Sequence, residues 1–214
     1  MNRVRKGEDD EIQNEVASVG CLYYGSGDAD LPDFRDRDGP SGKEAGLAGM
    51  PEFHTHEFGP VFDENSRILI LGSFPSVKSR EQGFYYGHPR NRFWPLLAAL
   101  TGEPVPESID GKRSLLLRRG IALWDSIESC EITGSSDSSI RNITPVAIAR
   151  ITDHAPIQRI LCNGASSFRY YNRYLKAITG MEAVKLPSTS SANAAWSFDR
   201  LLEEWRSAAE EIIV

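Results

Sequence analysis

From residue 67 onward, short runs rich in Ile, Leu and Val alternate with longer segments that have helical apolar spacing. The four runs are Arg67–Leu71, Ile121–Trp124, Gln158–Cys162 and Glu182–Leu186. Short apolar runs bounded by turn residues are typical of strands buried on both faces, and strands separated by helices form parallel sheets. The pattern predicts an α/β fold in which helices cover both faces of a parallel sheet.

The segments between these runs carry helix start and stop signals. The predicted helices are Asn91–Leu100, Lys112–Arg119, one opened by Thr144-Pro145, one that follows Asn163-Gly164, and a closing helix that begins at Asn193. In a parallel sheet, ligands bind outside the carboxyl ends of the strands. That edge is predicted to carry Gly72–Ser76, Asp125–Ser129, Asn163–Gly164 and Pro187–Asn193.

Residues 1–50 are rich in Gly, Asp, Glu and Ser and have little periodic apolar pattern. This composition predicts an acidic, disordered extension. Because 214 residues suffice for one core of ordinary size, we expect a single folded domain over residues 51–214. It should begin between Met50 and Val61.

Several classes of protein are disfavoured by the sequence. No apolar run approaches the roughly 18–20 residues that cross a bilayer, and the first residues lack the apolar segment of a secretory signal. The three cysteines, Cys21, Cys130 and Cys162, are widely spaced, which is typical of reduced thiols in the cytoplasm. The pair His54 and His56 has no third ligand nearby in sequence, so we expect no metal site.

The net charge of −6 is unevenly distributed. Residues 1–66 contain 6 Lys and Arg against 15 Asp and Glu, whereas residues 67–214 contain 18 against 15. Within residues 72–92, the basic residues Lys78, Arg80, Arg90 and Arg92 are opposed only by Glu81. A local basic patch favours binding to a phosphate backbone even when the total charge is negative. The alternative is a chance scatter of surface charges.

The segment GFYYGHPRNRFW, residues 83–94, is the most informative about function. It places five aromatic rings, three basic groups (His88 included) and one amide within twelve residues. An apolar core does not need this mixture. A pocket that stacks a flat ring, contacts phosphates and holds a polar reaction centre does need it.

Two further motifs lie at predicted strand ends. The first, GSFPS at residues 72–76, is neither a phosphate loop nor a dinucleotide fingerprint. The second, LPSTSSAN at residues 186–193, offers four hydroxyls and an amide before a predicted helix. Backbone N–H groups and hydroxyls at such a position can hold phosphates, whereas ordinary N-capping would explain only one of the hydroxyls.

GSFPS, GFYYGHPRNRFW and LPSTSSAN, in this order, resemble the uracil-DNA glycosylase superfamily, and most closely its hypoxanthine-DNA glycosylase branch. The resemblance runs from about Phe58 to Trp205. It implies a three-layer α/β/α sandwich around a central four-stranded parallel sheet. It also implies extrusion of a damaged base and hydrolysis of its N-glycosidic bond by water, with no cofactor.

The resemblance also implies site residues. Tyr86 matches the aromatic residue that stacks on the extruded base, and Asn91 matches the asparagine assigned to catalysis in the hypoxanthine branch. The base-binding residues expected are Gly72, Ser73, Phe74, Tyr86 and Asp125. The expected DNA-binding residues are Lys78, His88, Arg90, Pro187, Ser188, Thr189, Ser190 and Asn193.

Departures from the pattern of the uracil enzymes are informative. Those enzymes place Asp or Asn at the position of Phe74 to hold water, and commonly His at the position of Leu186 to stabilise the departing base. Efficient uracil excision by that arrangement is therefore not expected, and Asn91 is the available polar candidate. Ser191 replaces a usual proline, which we expect to affect loop stiffness.

Structural alternatives exist for the singled-out residues. Asn91 could cap the following helix, and Tyr85 and Tyr86 could be core aromatics. Asp125 could cap a turn instead of accepting the N1–H of hypoxanthine. His88 could brace its own loop as well as contact substrate.

Three other polar side chains near these motifs have open roles. Arg90 and Arg92 could contact phosphates or only solvate the surface. Asn163 is expected to serve the turn before Gly164 more than the substrate.

These observations predict a monofunctional DNA-deoxyinosine glycosylase, a cytoplasmic monomer that acts on DNA containing deoxyinosine or a related deaminated base. One alternative is a mismatch-specific uracil or thymine glycosylase of the same fold. The other is a non-catalytic relative that senses lesions in DNA.

Overall fold

The computed structural model describes residues 51–133 and 139–209. Its centre is a four-stranded parallel sheet that confirms the four predicted strands and the α/β fold class. The strands are β2 (Ile68–Gly72), β3 (Ile121–Asp125), β6 (Arg159–Asn163) and β7 (Ala183–Leu186), in the order β3-β2-β6-β7. Every residue of β2 and β3 is buried, as expected of strands covered on both faces.

Helices connect the strands of this sheet, and one more helix follows the last strand. They are α1 (Val77–Gln82), α2 (Phe93–Thr101), α3 (Ile109–Arg118), α4 (Ala149–Thr152), α5 (Ala165–Tyr170) with a π-helical turn (Tyr171–Leu175), α6 (Lys176–Thr179) and α7 (Phe198–Ala209). The crossovers from β2 to β3 and from β6 to β7 run in opposite directions across the sheet. Because such crossovers are right-handed, their helices cover opposite faces, and a crevice opens where β2 and β6 lie side by side.

A second sheet was not predicted. It is antiparallel, with β1 (Glu52–Thr55), β4 (Ile127–Ile132) and β5 (Arg141–Pro145) in the order β1-β4-β5. The predicted helix start at Thr144-Pro145 is therefore wrong, since both residues lie in β5. Strand β4 supplies backbone partners to this segment, and a proline is tolerated at the end of an edge strand such as β5.

Several helix boundaries differ from the predictions. Helix α2 begins at Phe93 instead of Asn91, and α7 begins at Phe198 instead of Asn193. The side-chain amide of Asn193 donates to the carbonyl of Ser188 at 2.9 Å, so this residue is bound to the preceding loop and not part of α7. The predicted stop at Gly120 is confirmed, since this residue has φ +59 and follows α3.

The predicted acidic extension, residues 1–50, lies outside the described residues. The expectation of one domain over residues 51–214 stays a prediction. None of the helices within 51–133 and 139–209 has the length and apolar character that a bilayer crossing requires.

Candidate active site

A cavity of about 590 Å³ opens at the carboxyl edge of the parallel sheet. The ends of three strands reach it, with Gly72 from β2, Asp125 from β3 and Asn163 from β6. The strand order of the sheet explains the position of the cavity. Residues at the carboxyl ends of neighbouring parallel strands converge at one edge of the sheet.

Most of the predicted site residues line this cavity. They are Asn91, Gly72, Ser73, Phe74, Tyr86, Asp125, Ser188, Thr189, Ser190 and Asn193. Four others do not line it, namely Lys78, His88, Arg90 and Pro187. The structure thus brings residues from all three motifs together, whereas their roles stay predictions.

Other lining residues carry no predicted role. Those within the segments predicted at the ligand-binding edge are Pro75, Ser76, Asn163, Gly164 and Ala192, and the others are Ser79, Tyr85, Ala165 and Ser166. Ala165 and Ser166 begin α5, and the start of a helix exposes backbone N–H groups. The strand-end position of Asn163-Gly164 was the available signal for these residues, because that turn was placed at the ligand-binding edge.

The side chain of Asn91 is anchored from two directions. Its Oδ1 accepts a hydrogen bond from the backbone N–H of Phe93 at 3.0 Å and lies 3.0 Å from Oγ1 of Thr189. Asn91 therefore supports the start of α2, as the capping alternative supposed, and it also lines the cavity. The two alternatives for this residue are compatible.

The donors and acceptors of this network can be assigned without ambiguity. A backbone N–H only donates, so the atom of Asn91 that faces Phe93 is Oδ1. The backbone N–H of Thr189 likewise identifies Oδ1 of Asn163, 3.0 Å away. Nδ2 of Asn163 then donates to Thr189 Oγ1 at 2.9 Å, and Thr189 donates to Asn91. With both acceptor positions of its oxygen used, Asn91 has only the N–H groups of Nδ2 available for a substrate.

Arg92 is engaged entirely by protein carbonyls. Its Nε lies 3.4 Å from the carbonyl oxygen of Thr189, and its Nη2 lies 2.8 Å from that of Ser190 and 3.0 Å from that of Asn193. Its Nη1 donates to the carbonyl of Trp196. Arg92 therefore clamps the loop after β7, which neither alternative for this residue anticipated.

The floor of the cavity is built around Gly72. A methyl group on this residue would lie 2.0 Å from Oδ1 of Asp125 and 3.2 Å from Oη of Tyr86. Glycine is needed here because the two side-chain oxygens occupy the space of a Cβ, whereas its backbone is not in the left-handed region. Asp125 is buried, and its Oδ1 makes no hydrogen bond to the described residues.

Tyr86 is held in a restricted position. Its ring stacks on that of Phe93 with a centroid separation of 3.9 Å, and its backbone has φ +54, an uncommon value for a residue with a side chain. Its hydroxyl is buried without a partner among the described residues. Burial, and then the nearby charge of Asp125, raises the pKa of this hydroxyl, against a smaller opposing effect of Asn163. Tyr86 thus presents a neutral O–H beside Asp125.

His56 was missed as a site residue. Its Nε2 lies 3.0 Å from Oδ2 of Asp125, and both side chains are buried. In the sequence, the only signal at this residue is its spacing from His54. That spacing suggested a metal site, which the lack of a third ligand argued against. Among residues 51–133 and 139–209, no group of three or more His, Cys, Asp or Glu side chains is placed to hold a metal ion.

The predicted DNA-contacting side chains outside the cavity differ in availability. Lys78 forms an exposed ion pair with Glu81 at 2.6 Å. Nδ1 of His88 accepts from the backbone N–H of Arg90 at 3.1 Å, so this histidine braces its loop. The Pro187 carbonyl accepts from Trp205 at 3.1 Å. Thr189 lines the cavity but is fully buried, so it is not available to a DNA phosphate.

Comparisons with known proteins agree with this geometry. Residues 60–209 match the family model of the Uracil DNA glycosylase superfamily. A Methanosarcina barkeri protein named hypoxanthine DNA glycosylase is 40% identical over 139 residues, or 64% of this chain and 86% of that protein. A Methanosarcina acetivorans protein of the same name is 35% identical over 149 residues, or 69% and 93%.

A solved structure is also similar. It is the solution NMR structure of a Methanosarcina acetivorans protein assigned provisionally as a uracil DNA glycosylase. The TM-score is 0.63 at 34% identity, and the match covers 72% of this chain and 96% of that one.

Proposed function

This chain belongs to the uracil-DNA glycosylase superfamily, and from that premise we propose that it excises hypoxanthine from deoxyinosine in DNA. It is a DNA glycosylase of deaminated bases, as the family match and two relatives named hypoxanthine DNA glycosylase support. The observation that favours a deaminated base over adenine is the cavity floor, where Oδ1 of Asp125 has no donor among the described residues. The names of the two relatives support hypoxanthine over uracil.

A free carboxylate oxygen selects for a particular base edge. Deamination of adenine replaces an amino group and a bare ring nitrogen with a carbonyl and an adjacent N–H. Asp125 can accept that N–H, whereas the lone pair on N1 of adenine would face the carboxylate and be repelled. The cavity volume of about 590 Å³ lies within the range of about 300–1,000 Å³ that is usual for small-molecule sites.

The hydrogen-bond network supports a donor role for Asn91. Departure of the base breaks the C1′–N9 bond and leaves the electron pair on the base, while water adds to C1′ and loses a proton. Nδ2 of Asn91 can donate to the base as this negative charge develops, which lowers the barrier in a water-poor site. Such a donor is needed because the Asp125 carboxylate opposes negative charge on the base. Phe74 cannot hold the water through a polar group, and no residue is assigned that role.

The loop after β7 is proposed to press on DNA beside the lesion. Ser188, Ser190 and Asn193 line the cavity, and Arg92 holds the carbonyls behind them. Arg90, which is exposed, is proposed to contact a phosphate. We further propose a monomeric enzyme of the cytoplasm that acts on nucleoid DNA and uses water with no cofactor.

A panel of oligonucleotides tests this function. Each carries one inosine, uracil, xanthine, adenine or thymine opposite each normal base, and excision is read as strand cleavage after alkali. We expect rapid single-turnover excision of hypoxanthine and none of adenine. Faster excision of uracil or thymine than of hypoxanthine would favour the mismatch-specific alternative, and binding without any abasic product would favour the lesion-sensing one.

A further inference from the structure

We propose that His56 is a positioning residue that sets base selectivity by orienting the Asp125 carboxylate. This inference rests on the proposed function, in which Asp125 reads the N–H of a deaminated base. His56 lies in no motif of the family resemblance and does not line the cavity. Its effect on the substrate therefore passes through Asp125.

The small antiparallel sheet delivers His56 to the cavity floor. Strand β1 pairs with β4 so that Thr55 lies opposite Ser129, and the backbone N–H of His56 continues the ladder with a 2.7 Å hydrogen bond to Glu128. Strand β4 starts two residues after Asp125. The pairing thus brings together two side chains that are 69 positions apart.

The surroundings of His56 are aromatic. The ring centroids of Phe58, Tyr85 and Phe74 lie 4.6, 5.8 and 6.3 Å from that of the imidazole. The imidazole side chain is 1% exposed. An apolar ring such as that of Phe would fill this space without the free-energy cost of burying polar nitrogen atoms. Packing alone therefore does not explain a histidine at this position.

The one hydrogen bond of the imidazole is directed at the carboxylate. Nδ1 is buried and has no partner among the described residues, whereas Nε2 reaches Oδ2 of Asp125 at 3.0 Å. A buried nitrogen without a hydrogen-bond partner lowers the stability of the fold, and the contact with Asp125 must offset that loss. In the tautomer with the proton on Nε2, His56 donates to an ionised carboxylate.

This contact leaves the carboxylate with one oxygen, Oδ1, that has no donor among residues 51–133 and 139–209. Oδ2 is held by His56, and Oδ1 occupies the space that the missing side chain of Gly72 leaves. Rotation of the carboxylate about its Cβ–Cγ bond would break the contact with His56. Oδ1 is therefore fixed as an acceptor at the cavity. There it favours the binding of a base that presents an N–H and disfavours a base that presents a ring lone pair.

The test compares two substitutions in the full chain. His56→Gln keeps an N–H donor at the position of Nε2, and His56→Phe keeps a ring but removes the donor. His54→Phe is the matched control, since His54 lies two residues earlier, in β1, and its imidazole is 3.4 Å from the exposed Glu52 carboxylate and not beside Asp125. Measurements are single-turnover excision of inosine, the binding preference for inosine over adenine, binding to an abasic product, and thermal stability.

We expect His56→Phe to lose about 10- to 100-fold in inosine excision and to lose its preference for inosine over adenine, as removal of a hydrogen bond to a charged group implies. His56→Gln should stay near wild type, and abasic DNA should bind equally to every variant. Unchanged excision and preference in a folded His56→Phe would overturn the proposal. Parallel loss of abasic binding would also overturn it, since that result indicates a merely structural role.

Failure of the proposed function is recognised separately. If the wild type excises uracil but not hypoxanthine, the same variants are judged by excision of uracil and by the binding preference for uracil over cytosine. Uracil differs from cytosine by the same N–H edge that distinguishes hypoxanthine from adenine. If the wild type excises no base, the proposed function is wrong. His56 is then judged by the binding preference for inosine over adenine alone, and an equal preference in wild type and His56→Phe overturns the inference.

Discussion

Oγ1 of Thr189 lies 3.0 Å from Oδ1 of Asn91, although the two residues are 98 positions apart in the chain. The contact joins the loop after the last strand of the parallel sheet to the segment that precedes α2. It saturates the oxygen of Asn91 and turns Nδ2 into the part of the amide that a substrate can use. The loop proposed to press on DNA is therefore coupled directly to the proposed catalytic side chain.

Replacing Thr189 with Val removes the donor to Asn91 at nearly constant volume. We expect single-turnover inosine excision to fall by about tenfold, the equivalent of one lost hydrogen bond, because Asn91 is then held only by the Phe93 N–H. Thr189→Ser keeps the hydroxyl and is the control, with excision near wild type. Equal rates in Val and Ser variants of similar melting temperature would show that the contact does not matter for the reaction.

Asn91→Asp separates the two roles of this side chain. A carboxylate retains the acceptor for Phe93 but loses the N–H groups, so we expect a folded protein that excises inosine at least about 100-fold more slowly. Asn91→Ala should show a similar loss, with a less stable start of α2. If Asn91 instead held water through its oxygen, Asn91→Asp would remain active, and retained excision in single-turnover assays would refute the donor role.

Gly72→Ala tests the crowding of the cavity floor. Its methyl group would meet Oδ1 of Asp125 at 2.0 Å, so the carboxylate must move, and we expect excision of inosine to be lost. Gly59→Ala is the control, because the nearest atom to its methyl group is 3.9 Å away. Kinetics and urea denaturation of both variants would decide whether the loss comes from the site or from the fold.

Arg92 and Arg90 should respond differently to salt. Arg90→Ala removes a proposed phosphate contact and should reduce the slope of log K against log salt by about 1. Arg92→Lys keeps the charge but loses the fork that holds four backbone carbonyls, so we expect an unchanged slope and slower excision. Titration of inosine DNA at several salt concentrations distinguishes them, and a reduced slope in Arg92→Lys would contradict the clamp.

Tyr86→Phe removes a buried hydroxyl that has no partner among the described residues. We expect stability at neutral pH to rise by about 1 kcal/mol, while excision of inosine falls because an O–H beside Asp125 is lost. Burial raises the pKa of the Tyr86 hydroxyl, so the wild type should lose stability as the pH rises above the value of about 10 at which an unfolded tyrosine ionises. Urea unfolding at neutral and alkaline pH should show a smaller alkaline loss in the variant.

Much of the fold was readable from local pattern. Three strands of the parallel sheet, β2, β3 and β6, are short apolar runs, because they are buried on both faces and need no alternation. The fourth, β7, lies at the edge of the sheet and has Val184 and Lys185 exposed. The antiparallel sheet was not predicted, because its strand β5 is not a buried apolar run. Residues 141–145 are partly exposed and contain a proline, and they become a strand only because the edge of β4 lies beside them.

The sequence by itself determined the α/β architecture, the three motifs and the choice of Asn91, Tyr86 and Asp125 as candidates. Only the tertiary structure decided which atom of Asn91 accepts hydrogen bonds from the protein, that Arg92 holds a loop, and that His56 contacts Asp125. These are contacts between residues 69 to 104 positions apart. Hydrogen-bond partners at that separation are chosen by how sheets and loops pack, and strand or helix periodicity carries no information about them.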